Sequence, residues 1–459
     1  MPVLSRSIRG LRPSLSLILL LGFFCVLWLA GGAAQGDVLG QVIVRVAAVG
    51  VLIAATLFGA RPTWRGLGAP AALLTVAAAL ALLQIVPLPP ELWTALPGRA
   101  VFVEAAAASA QAQPWRPWAI VPGAATNAAA SLLVPAATLT LLSQLSEKDR
   151  EWLPGSLLAL VAAAMLVGLF QFTGVSVNNP LINDTVGQVS GVFANRNHFA
   201  LFLAFGCLLA PVWALRNGTV AWRSQVALAL VPLFALTILA SGSRAGVLLG
   251  AVGIGLGLLL ARRGITRALR RYPRWVSFAL VGSAATAMIA VVLVTVAANR
   301  AVSINRIFSV DPGQDMRGRG LSTVWAMVLT YFPAGSGLGG FDPMFRMHEP
   351  FALLKFTYFN HAHNDWLEVV LDAGLPGLLL LAAAVLWWGW CSIGAWRVRV
   401  GPQHLTRKLG SAMLLLVMIA STFDYPARTP TVMAMMIVAT AWLSGYGDAR
   451  GVSTLPEAG

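Results

Sequence analysis

Long apolar runs broken by short polar stretches recur along the whole chain. Twelve of them, near 15–34, 41–59, 69–88, 126–143, 153–173, 198–215, 225–241, 245–261, 276–298, 373–396, 408–423 and 430–446, read as spans of a hydrocarbon core about 30 Å thick. The pattern predicts an all-α polytopic membrane protein of about twelve transmembrane helices, with a large loop before the tenth. Two hydrophilic stretches interrupt it: 89–125, rich in Pro, Ala and Trp, and 299–365, where the densest polar chemistry lies. A loop as long as the second is usually functional. The expected division is 1–125 (first spans and first large loop), 126–298 (central spans), 299–365 (second large loop), 366–446 (last spans) and 447–459 (tail). With no internal repeat evident, an inverted-repeat transporter gains no support.

The placement of Lys and Arg orients this string of helices. With the N-terminus in the cytoplasm, twenty basic residues fall inside and eleven outside, and Arg45 sits within a span. Six of the eleven belong to the loop 299–365, and long loops cross largely regardless of charge. Both termini are therefore expected in the cytoplasm of a bacterial cell, with both large loops on the periplasmic face of the inner membrane. Arg6, Arg9 and Arg12 ahead of the first run, and GGAA at 31–34, resemble a cleaved signal peptide. The run approaches about 20 residues against about 7–15 for a signal sequence, so it is read as a retained span.

Composition agrees with the bilayer as solvent. Hydrophobic residues make up 58% of the chain and charged ones 11%, with a mean hydropathy of +0.77, whereas soluble domains carry about 25% charge. The net charge of +15 is scattered between apolar runs; a nucleic-acid binder would gather it on one soluble face, so no nucleic-acid partner is expected. Cys25, Cys207 and Cys391 lie in or beside apolar stretches, which leaves no disulfide framework.

The polar residues concentrate chemistry on one face. Three short loops there each keep an arginine: Arg196 in FANRNHFA, Arg244 in ASGSRAGV and Arg428 in DYPARTP. Each alone could snorkel or pair with an acid such as Asp424. Together, and joined by Arg317 and Arg319, they point to an anion site, because guanidinium forks match phosphate oxygens bidentately. Ser241, Gly242 and Ser243 place Arg244 at a helix N-terminus, which also favours an anion. The GxxxG spacings Gly246/Gly250 and Gly253/Gly257 read as helix packing.

FNHAHNDWLEVVLDAGLPGLLLL, 359–381, joins the second large loop to the next span. His361 and His363 form an HxH pair, but a catalytic zinc wants three protein ligands. Asp365, Glu368 and Asp372 recur at helical spacing; they form either a face toward a water-filled cavity, available to the arginines, or a surface that holds the loop in place. A histidine beside phosphate-binding arginines suits removal of a proton from a sugar hydroxyl, and arginines can neutralise a leaving pyrophosphate in place of a metal. No cofactor is called for. GSGLGGFD, 335–342, reads as a tight turn, with cradling of a phosphate or sugar as the other option.

These motifs carry a resemblance. His363-Asn364, nine residues, then Gly374-Leu-Pro-Gly377-Leu378 resembles the signature of O-antigen ligases and O-antigen (Wzy-type) polymerases. FANRNHFALFL, SGSRAG, an arginine before a loop helix ending in PxGxGxG, and DYPARTP follow the family's order, so that the likeness spans roughly 190–430. It implies a GT-C-type membrane glycosyltransferase that takes a glycan from undecaprenyl pyrophosphate at the periplasmic face without a metal. His363 would be the base or acceptor-positioning residue, and Arg244 with Arg317 or Arg319 would grip the diphosphate, with Arg196 beside them. His361, Asn364, Glu368, Asp372 and Arg428 would support the site. Many relatives carry a histidine shortly before the DYP-type segment; Ser421, Thr422 and Phe423 stand here instead.

The expected partners are the lipid-linked glycan, an acceptor that is either another lipid-linked repeat unit or lipid A core, the bilayer, and polysaccharide export and chain-length proteins. The DYPARTP ending is most similar to exopolysaccharide-type polymerases, which favours polymerase over ligase. A flippase would need charge along a path through the spans, and only Arg45 lies there.

Overall fold

The computed structural model describes residues 13–446 except 176, 184, 186, 216–220, 271, 272, 274, 276–281, 283–315, 355–358 and 399–401. Eleven of the twelve expected spans are helices: α1 (Leu15–Ala30), α2 (Leu39–Phe58), α3 (Gly68–Leu83), α6 and α7 (Pro122–Ser131 and Leu133–Ser143, one span), α8 and α9 (Glu147–Arg150 and Leu153–Phe172, one span), α10 (Arg196–Leu215), α11 (Ala221–Ala240), α12 (Arg244–Leu269), α15 (Asp365–Arg397), α16 (Pro402–Ala420) and α17 (Pro430–Leu443). The run 276–298 lies outside the described residues. Seven of these elements are long and apolar enough to cross a membrane, and α1, α3 and α17 are shorter apolar helices. The protein is a multi-pass membrane protein.

Burial separates the centre of the bundle from its rim. In the apolar stretch of α10 89% of the residues are buried, against 22% in that of α2, which offers Val42, Val46 and Leu57 outward, as a helix facing lipid does. The GxxxG glycines explain how α10 reaches the centre. A Cβ on Gly253 would stand 2.7 Å from the Ala204 carbonyl oxygen, and one on Gly257 2.8 Å from that of Cys207, so only glycine lets the backbones of α10 and α12 lie this close.

The two large loops fold and pack together. The first holds α4 (Pro90–Thr94), α5 (Ala100–Ala108) and a two-residue ribbon, β1 (Pro87–Leu88) antiparallel to β2 (Arg116–Pro117). The described part of the second holds α13 (Met316–Tyr331), α14 (Phe341–His348) and a 3₁₀ turn, Phe351–Leu353. Their shared core joins Val324, Met327, Tyr331, Phe341 and Phe345 to Phe102, Ile120 and Val121. Arg99, fully buried, donates to the Trp118 carbonyl at 2.9 Å and to that of Gly335 at 3.3 Å, and its guanidinium lies 5.2 Å from the Trp93 ring. Burial pulls its pKa down to about 10, and the nearby Tyr331 partly opposes this.

The Gly-rich turn has a different task from phosphate cradling. α15 starts at Asp365, eight residues before the run expected from hydropathy, and breaks at Gly374 (φ 57°, ψ −141°). Pro376 has no N–H to offer the Asp372 carbonyl, and the Leu375 N–H turns away to the Pro333 carbonyl at 2.8 Å. The stranded carbonyls of Leu371 and Asp372 accept instead from Ser336 N–H (2.8 Å) and Gly337 N–H (2.9 Å). Leu338 N–H donates to Gln84 Oε1 and Gly339 N–H to the Asp372 carboxylate. Two of these amides repair a helix break, and the next two are held by the Gln84 and Asp372 side chains, so that four consecutive amides of GSGLGG are already taken.

Candidate functional site

Asp424 is the hub of the loop-side site. It stands between α16 and α17, and four donors converge on its carboxylate: His363 Nδ1 at 3.0 Å and Tyr425 N–H at 3.1 Å on Oδ1, Asn195 Nδ2 at 2.9 Å and Asn197 Nδ2 on Oδ2. A carboxylate accepts from its partners, so Nδ1 of His363 is the nitrogen that donates to Asp424, and Nε2 is the one left for another partner. Nε2 has no hydrogen-bond partner among the described residues, and the side chain is 14% exposed. His363 also sits at φ 51°, a left-handed backbone that non-glycine residues rarely adopt and that marks functional positions.

Two neighbours of the arginines reach this hub. Ser243 caps α12 by accepting from Gly246 N–H at 2.8 Å and donates to Asn197 Oδ1 at 2.7 Å, so exposed Arg244 follows a residue tied to Asp424. On the other side Gly320 lies against Phe359, whose ring centroid is 6.4 Å from that of His363. Arg319, exposed, precedes that glycine and donates to the Ala352 carbonyl at 3.3 Å. Arg196 is half-buried at the first turn of α10. Arg317 lies at the head of α13, and its side chain falls outside the described residues.

The acidic stripe corrects the expectation of a face open to the phosphate-binding arginines. Asp365, Glu368 and Asp372 are buried, the last two completely, and close around Arg428: Nε to Asp365 at 3.4 Å, Nη1 to Glu368 at 3.3 Å and Nη2 to Asp372 at 3.2 Å. Burial opposes the guanidinium charge, but the three carboxylates outweigh it and hold its pKa above the ordinary arginine value. Arg428 therefore leaves the phosphate-binding set. Asp365 also accepts from Ser421 Oγ and Ala427 N–H, so the cage fixes the segment 421–428 that carries Asp424.

The HxH pair divides between the two clusters. His361 Nδ1 is 2.7 Å from Glu368 Oε1, on the cage side, while His363 turns to Asp424. The Tyr425 ring stands between, 4.2 Å from His361 and 5.1 Å from His363. Asn364 caps α15, its side chain accepting from Leu367 N–H at 3.1 Å.

Asn195, Asn197, His198 and Asp424 escaped selection from the sequence although FANRNHFA and DYPARTP were both in view. The side chain of His198 is 2.9 Å from Thr429 Oγ1 and 3.9 Å from Asp424. An acid in a short link between two apolar spans was the available signal.

Residues 227–382 match the family model described as O-antigen ligase. This stretch runs from the seventh expected span into the tenth and includes the His-Asn and GxxG motif that carried the resemblance. It contains Arg244, Arg319 and His363, while Asn197 and Asp424 lie on either side of it. Among curated proteins none matches the chain. The chain is a multi-pass membrane protein of which residues 227–382 are similar to the O-antigen ligase family.

Proposed function

We propose that the protein polymerises O-antigen or exopolysaccharide repeat units at the periplasmic face of the bacterial inner membrane, taking the growing glycan from undecaprenyl pyrophosphate. The observation that carries this reading is the Asp424–His363 pair, 3.0 Å apart, with Nε2 of the histidine unoccupied among the described residues. The acceptor hydroxyl oxygen attacks the anomeric carbon of the donor sugar and its proton passes to Nε2. Asp424 holds the ring and stabilises the imidazolium. The bond from the anomeric carbon to the diphosphate oxygen breaks, and its electron pair leaves on that oxygen. Arg244 and Arg319, each beside a residue that leads back to His363, neutralise the departing diphosphate, with Arg317 and Arg196 as further cations. His361, Asn364, Glu368, Asp372 and Arg428 position the segments that carry the pair.

The polymerase reading draws on the DYPARTP ending, and the periplasmic placement on the excess of basic residues in the opposite loops. The test is a reconstituted assay in which the lipid-pyrophosphate glycan is offered two acceptors, a lipid-linked repeat unit and lipid A core. Extension of the repeat unit is expected. Transfer to lipid A core alone makes the protein a ligase, and transfer to neither sinks the reading.

A further inference from the structure

One intramembrane charge, Arg45, has no part in the transfer described above. It lies on α2, six residues, or about 9 Å of helix, from the loop-side end. Its Nη2 donates to the side chain of Asn127 at 2.6 Å, to the carbonyl of that residue at 3.3 Å and to Gln41 Oε1 at 3.5 Å. Nε is buried without a hydrogen-bond partner, and no acid lies within ion-pair distance among the described residues. A cation within the hydrocarbon layer with only neutral partners is costly, and residues of this kind mark ligand sites.

Arg45 opens onto a cavity of about 820 Å³, toward the upper end of the range of about 300–1,000 Å³ for ligand pockets. Along α15 its wall runs from Asp365 to Trp388, at most about 35 Å at 1.5 Å per residue, close to the thickness of the hydrocarbon core. Leu80, Leu381, Val385 and Met436 make the long part apolar. Polar groups gather at one end, where Gln35 Oε1 is a second buried atom without a partner. Three acids are also at the wall: Asp342 and Asp365 are already taken by Arg346 and Arg428, and Asp37 is exposed just ahead of α2. A slot that is apolar along its length and polar at one end, with Arg45 there lacking an ion-pair partner among the described residues, has the shape of a single lipid. His361 and Arg428 line it; His363, across Tyr425, does not.

We propose that this cavity seats the hydrocarbon chain of a phosphate-headed lipid, with the phosphate on Arg45. Building on the transfer reading, in which Arg244 and Arg319 take the donor's diphosphate, this lipid is the anchor of the acceptor. Full-length protein in zwitterionic nanodiscs is loaded with polyprenyl pyrophosphate, with a diphosphorylated acyl-disaccharide lipid, or with diacylglycerol, and retained lipid is read by native mass spectrometry. At least one phosphate lipid is expected at about tenfold excess over diacylglycerol, and the two arms tell a polyprenyl anchor from an acyl one. Arg45→Ala lowers that retention about tenfold, Arg45→Lys restores part of it, and Ala384→Trp, which fills the slot, abolishes it. No preference over diacylglycerol, or retention unchanged in both Arg45→Ala and Ala384→Trp, overturns the proposal. His363→Ala retains lipid like the parent, so a failure of binding and a failure of the transfer chemistry are told apart.

Discussion

Asp424 and Arg428 are four residues apart on one short segment, yet they serve opposite ends. Arg428 meets three carboxylates, and the result is a joint between α15 and the α16–α17 link. Asp424 collects four donors, but the histidine it orients still has a ring nitrogen to offer. The difference lies in what remains unmatched. A charge ringed by opposite charges holds parts together, while one that fixes a half-used imidazole leaves chemistry available.

The sharpest break in this contrast comes from the cage. Arg428→Ala leaves three buried carboxylates without a cation and costs about 3–5 kcal/mol, so the protein should unfold at markedly lower temperature in detergent and lose its monodisperse elution. Asp424→Asn acts the other way: thermal unfolding shifts little, while transfer slows by on the order of a hundredfold because the histidine loses the anion that orients it. A comparable loss of stability in the two variants would erase the distinction.

Smaller effects sharpen how the loops support the pair. Gly374→Ala places a Cβ 2.0 Å from the Pro333 carbonyl oxygen at a φ that side chains rarely adopt, and should cost on the order of 2 kcal/mol. Hydrogen exchange would report it as lost protection at Ser336 and Gly337. The smallest effect is one of pH. Burial lowers the pKa of His348, which lies 2.9 Å from the Tyr331 hydroxyl, below its ordinary 6.5. Between those two values the unfolded loop binds more protons than the folded one, so loop stability falls as pH drops below about 6.5. Protection across 316–348 should be weaker at pH 5.5 than at 7.5, and His348→Gln should remove the difference.

Much of this was legible in the chain. Eleven spans stood where hydropathy put them, because the period and length of an apolar run report the solvent directly. His363 and Arg244 could be singled out because motif spacing survives in one dimension. The hub could not: Asn195 and Asp424 are 229 positions apart, and only the packing of α10 against the α16–α17 link brings them together. The acidic stripe was read as a face, correctly by its period, yet its partner was hidden because Arg428 lies 56–63 positions further on. The Gly-rich stretch is the tight turn its composition suggests, but its partner is not legible in the sequence. Its free amides look the same whether a phosphate or a broken helix is to receive them, and Pro376 decides the matter only once α15 is seen to run through it.

The central claim is that His363 moves a proton while the cage merely holds it in place. Single-turnover transfer from a lipid-pyrophosphate glycan by His363→Asn, a residue that tolerates the left-handed backbone, tests it most directly. The expected result is a protein with unchanged thermal unfolding and lipid retention whose rate falls by about 10²–10⁴. Transfer at the parent's rate by that variant would contradict it.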